Sequence, residues 1–135
     1  MASLIWNQTS TVGVQALDDQ HGILLDALNE LRLALLQGRE LRTVRSMLSR
    51  VAELMRLHVE SEDRLLALHG FPGLVAHRAE KQRLLARLEQ YDIRFEQRHT
   101  PAAYELVEYL RKWFTTHTSA DGRKYGQFLQ SRGIH

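Results

Sequence analysis

Three histidine-led pairs set four residues apart stand out in this sequence: His58 with Glu62, His77 with Lys81, and His117 with Asp121. Residues at that spacing on a helix lie one above the other on one face. In each case the face they share is the one that carries the leucines. A fourth histidine, His21, lies one turn before Leu24, at the start of another leucine stripe. Burying such groups without partners costs about 1–3 kcal/mol for a polar group and more for a charge. Four segments that all accept this cost point to something bound between them. Imidazole and carboxylate together suit borderline metals such as iron, manganese or zinc.

A single His–Glu pair is more often a surface ion pair, and a lone histidine near a helix start is more often a core or capping residue. It is the agreement of four segments that favours a metal site. His69, His99 and His135 do not join the set and read as structural or solvated residues.

The elements that must position these residues follow from the apolar periodicity. A first helix is predicted over about 18–37, with Leu24, Leu28, Leu31 and Leu35 on its stripe and Gly38 as terminator. A second runs over about 41–69, through Val44, Met47, Leu48, Val51 and Met55 to His58, Glu62, Leu65 and Leu66. A third, over about 73–96, carries Leu74, His77, Lys81, Leu84, Leu88, Tyr91 and Phe95. A fourth, over about 101–121, opens with Thr100 as N-cap and Pro101 at its first position, and carries Ala103, Leu106, Leu110, Trp113, His117 and Asp121. Residues 1–16 read as an extended arm, and the end of the chain as a short helical tail. Long helices with short connections imply an all-α, up-down-up-down antiparallel four-helix bundle, a single domain over 1–135.

Composition narrows the partners. The chain has 135 residues, a formal net charge of +2 and no cysteine. Disulfide and thiolate chemistry are therefore absent. Arginine and glutamate are mixed throughout, without a basic block, which argues against nucleic acid. There is no secretory signal and no segment as long as a membrane span, so a cytoplasmic protein is the simplest expectation.

The order and spacing of several motifs resemble the bacterial hemerythrin-like family. They are "DDQH" at 18–21, "HVESE" at 58–62, "GFP" at 70–72 followed by His77, and "WFTTH" at 113–117 followed by "RKYGQFL"; Trp6 in the arm fits as well. The resemblance spans nearly the whole chain. It implies a four-helix bundle with a non-haem di-iron centre that binds oxygen reversibly through five histidines and two bridging carboxylates. On that resemblance His21 and His58 serve one iron and Glu62 bridges. His77 and His117 are two of three histidines on the other iron, and Trp113 and Phe114 line the oxygen pocket.

Two positions depart from the family pattern. In "HRAEK" Lys81 stands where the third histidine of the second iron belongs. A protonated lysine has three donors and no lone pair. The second bridging aspartate belongs five residues after the last histidine, where this chain has Gly122; Asp121 comes one residue sooner. Glu80 is a weaker substitute, toward the flank of the stripe.

Three functions remain open. One is oxygen binding or sensing at a di-iron site, with dioxygen or a related small ligand as partner and no enzyme activity in the usual sense. Another is a single-metal centre on His21, His58 and Glu62, completed by water or His117, which would permit redox chemistry. The last is a metal-free interaction module in which Lys81 pairs with Glu62 or Asp121. The ferritin-like alternative requires Glu-x-x-His on two helices, and neither is present.

Overall fold

The computed structural model describes residues 12–97, 100–117 and 122–135. Among the described residues five helices follow one another: α1 Gln15–Leu36, α2 Leu41–Leu68, α3 Leu74–Glu96, α4 Pro101–Thr116 and α5 Gly122–Ser131. Short connections turn each of the first four back on its predecessor. α1 packs on α2 and α4, α3 packs on the same two, and α5 reaches α2. This is the predicted four-helix bundle, with the helical tail folded against it.

The turns are encoded locally. After α1, Gly38 adopts φ +64°, which lets Arg39 N–H donate to the Ala34 carbonyl at 3.0 Å. After α2, Gly70 adopts φ +71° and Phe71 N–H reaches the Leu66 carbonyl at 2.9 Å. Both are left-handed glycine closures that satisfy otherwise unpaired helix-end carbonyls.

The structure differs from the sequence expectation in the start of α1 and in the capping of α4. α1 starts at Gln15, three residues early, because Asp18 is inside the helix rather than at its entrance. Its carboxylate accepts from Val12 N–H at 2.8 Å and Gly13 N–H at 3.2 Å, and so ties down the incoming chain. Thr100 lies in helical conformation and makes no side-chain cap bond, so Pro101 alone marks the start of α4. α4 is described as far as Thr116, and its expected end at 121 lies outside the described residues. Trp6, His99 and Asp121 lie outside the described residues.

The core is divided. A large apolar cluster, from Leu24 and Met55 to Leu84, Leu106 and Phe114, fills most of the bundle. A smaller one, Val12, Val14, Leu17, Leu66, Tyr125 and Leu129, closes one end. Along α1, His21 falls between Leu17 of the small cluster and Leu24 of the large one. Along α2, His58 and Glu62 fall between Met55 and Leu66. The polar residues therefore form a layer between two apolar ones. Among the described residues no helix is long and apolar enough to cross a membrane.

Candidate metal centre

Four polar side chains are buried among the described residues: His21 at 0% exposure, His58 at 1%, Glu62 at 0% and His117 at 6%. All four occupy that layer. One ligand atom from each lies within 4.8 Å of every other. His21 Nε2 is 2.9 Å from His58 Nε2. Glu62 Oε2 is 3.0 Å from His58 Nε2 and 2.9 Å from His117 Nε2. Three helices thus aim three imidazoles and a carboxylate at one point.

His77 stands slightly apart. Its Nε2 is 3.3 Å from the other Glu62 oxygen, Oε1. The two atoms are not aligned as a hydrogen bond, and both are buried without a hydrogen-bond partner. Buried polar atoms of a folded protein are rarely left so. Their convergence with the four clustered donors is what a bound cation would satisfy, and nitrogen with carboxylate oxygen is a donor set that iron, zinc and manganese accept.

Electrostatics keep the donors ready. Burial, with the neighbouring His58 and His117 adding to it, lowers the His21 pKa from 6.5 to about 2, so this ring is neutral and its lone pair is available. Burial lowers His77 as well. Burial alone would raise the Glu62 carboxyl, but the charges and hydrogen bonds of His117 and His58 hold it well below the usual carboxylate range.

The supporting shell begins one residue before His21. Gln20 Oε1 accepts from His58 Nδ1 at 2.9 Å, while Gln20 Nε2 donates to Ser61 Oγ at 3.1 Å. A proton held on Nδ1 turns the Nε2 lone pair of His58 into the site. Three residues of the "DDQH" run thus have defined places: Asp18 ties down Val12 and Gly13, Gln20 holds His58, and His21 faces inward. Gln20 escaped the sequence reading because its partner is 38 residues away.

Two aromatics wall the cluster. Trp113 stacks on His117, with ring centroids 4.2 Å apart and planes 16° apart. Phe114 meets the His21 ring edge-on at 6.1 Å. Tyr125, from the tail, brings its hydroxyl within 2.7 Å of His117 Nε2. A solvent-open cavity of about 470 Å³ reaches this side of the cluster, with Phe71, His77, Glu80, Arg83, His117 and Tyr125 among its walls.

Lys81 does not enter the layer. Its Nζ bonds Glu60 Oε1 at 2.8 Å, on the outside of α2, rather than Glu62. Four methylenes allow the ammonium group to leave the apolar face and stay hydrated. Glu80 is turned outward too, toward Arg83. Gly122 is buried at the start of α5, where a Cβ would come within 2.1 Å of the His117 carbonyl and 3.0 Å of Val12 Cγ1. A carboxylate side chain has no room there.

A family model for the hemerythrin HHE cation binding domain matches residues 12–128. The chain belongs to the hemerythrin family. Bacteriohemerythrins are among its relatives: one from Stenotrophomonas maltophilia is 26% identical over 97% of this chain and 84% of its own length. Another, from Methylococcus capsulatus, is 22% identical over 97% of this chain and its full length. The crystal structure of a wild-type hemerythrin superposes with a TM-score of 0.88 at 22% identity, over 95% of this chain and 98% of that one. That likeness bears on the fold. In this hemerythrin-family chain the donors on α1, α2 and α4 converge, whereas the positions of Lys81 and Gly122 contribute none.

Proposed function

We propose that this chain is a non-haem iron protein that holds one metal ion through His21, His58, Glu62 and His117, and that its small ligand is dioxygen or a related molecule. The observation that carries this reading is the group of four buried donor atoms within 4.8 Å of one another, the one such group among the described residues. The family description as a cation binding domain supports the metal, and the bacteriohemerythrin relatives support iron and oxygen.

Iron held by two or three imidazoles and a carboxylate supplies a redox-active centre with room for an added ligand. The chain's own groups set its surroundings. Gln20 fixes the orientation of His58, and Trp113 and Phe114 keep water from the His117 and His21 rings. His77 stands ready on the far oxygen of Glu62. One ion is favoured over two because Lys81 turns to Glu60 and Gly122 offers no side chain. A metal-free network is disfavoured because buried Glu62 Oε1 and His77 Nε2 have no hydrogen-bond partner.

The test is to load the purified chain anaerobically with ferrous iron, admit air, then remove it while recording absorption. A spectral change that reverses on deoxygenation supports oxygen binding. An irreversible change points to redox chemistry, and no change at all removes oxygen from the account.

A further inference from the structure

The phenol of Tyr125 has no part in the ligand set just described, yet it is inside the site. Its side chain is 3% exposed, and its ring packs with Leu17, Leu66 and Leu129 in the small apolar cluster. Its hydroxyl reaches the polar layer, 2.7 Å from His117 Nε2. Its ring lies 5.4 Å from that of His117 and 5.9 Å from that of His77. Gly122 and Gly126 fix this placement. At each a Cβ would come within 2.1 Å of a backbone oxygen, that of His117 and that of Val12 respectively. α5 can therefore press against the end of α4 and the arm, with Tyr125 held between them.

We propose that the Tyr125 phenol oxygen is itself a metal donor, completing a set otherwise made of imidazoles and one carboxylate. The inference rests on the metal-binding reading above. An imidazole nitrogen has one lone pair. If His117 Nε2 gives it to an ion, an oxygen 2.7 Å from that nitrogen is within reach of the same ion. Among the described residues Glu62 is the one carboxylate in the cluster, Lys81 is turned to Glu60, and Gly122 has no side chain to offer. A hard, anionic oxygen is the donor most lacking for ferric iron. Forming the oxygen–metal bond breaks the phenol O–H bond. The proton leaves to solvent through the cavity that Tyr125, His77 and His117 line. No electron is transferred.

The experiment compares the full chain with Tyr125→Phe, both loaded with ferric iron, by iron content, visible absorption and resonance Raman. The expected result is a visible phenolate-to-iron charge-transfer band with enhanced phenolate vibrations in the parent chain. Both signals disappear in Tyr125→Phe, which still holds iron. The same spectrum in the variant overturns the proposal, as does an iron-loaded parent chain without phenolate vibrations. The second result needs no variant, so it decides even if Tyr125→Phe folds poorly. Absence of iron in the parent chain would overturn the metal reading, and the phenol ligand with it, whereas iron without a phenolate signal removes the phenol alone.

Discussion

At the scale of single residues, the fold lowers the proton affinity of His21, His77 and Glu62. His21 is the clearest case. Its folded pKa lies far below its unfolded value, so below about pH 6.5 the unfolded chain takes up a proton that the folded one refuses. The metal-free protein should therefore lose stability as pH falls through that range, by up to about 1.4 kcal/mol per pH unit from this group. His77 acts in the same direction. Glu62, held below its ordinary value, adds a further loss below about pH 4.5, where the unfolded chain protonates it first. Denaturant unfolding at pH 7.5 and 5.5 checks this, and equal midpoints would contradict a neutral, buried His21. Gln20 belongs to the same scale. Gln20→Ala should weaken metal binding by about 10–100-fold while leaving the fold intact, since it removes only the group that orients His58. A competition titration against a chelator measures it; unchanged affinity would mean that packing alone orients the ring.

At the scale of elements, α1, α2 and α4 are committed to the site and α3 only half so. The C-terminal half of α3 buries Leu84, Leu88, Tyr91 and Phe95, while its first turns leave His77 partly open and Val75 exposed. The cavity opens on this stretch, and here the pattern departs from the family. Lys81→His puts an imidazole one turn beyond His77, so iron per chain should rise above that of the parent. An unchanged count would place the restriction at Gly122 instead. α5 depends on a close approach to the arm, so Gly126→Ala should cost about 1–3 kcal/mol, read as a lowered thermal midpoint. Much of this was legible in the sequence. The stripes through Leu24, Met55 and Leu106 gave the helices, and the polar positions interrupting them gave His21, His58, Glu62 and His117. What periodicity cannot convey is where a long side chain ends: the pairing of Lys81 with Glu62 weighed for a metal-free site is not the one formed, and Lys81 lies beside Glu60. Nor does it convey contacts across distant segments, so Gln20 and the Tyr125 hydroxyl were missed. The capping role expected of Thr100 failed because residue type does not guarantee the backbone conformation that a cap requires.

At the scale of the whole molecule, a bundle that could have been apolar throughout gives one layer to polar groups and seals it on both sides. The larger cluster lies toward Leu24, Met55 and Phe114, and the smaller is built from the arm, α5 and Leu66. A solvent-open cavity reaches the layer on the α3–α5 side, beside His77, His117 and Tyr125. Such an arrangement concentrates the cost of buried polarity in one place, where a single bound ion can relieve it. Metal should therefore stabilise the fold as well as equip it, with a thermal midpoint that rises with metal concentration.

The most direct test of this account is the number of iron ions per chain. The protein is loaded anaerobically with ferrous iron, freed of excess and assayed for iron and protein, beside His58→Ala as a control. The account predicts about one iron per parent chain, from the one clustered donor set, and a marked loss in the variant. Two irons per chain would contradict the single-ion site, and none, or a count unaffected by His58→Ala, would contradict the site itself.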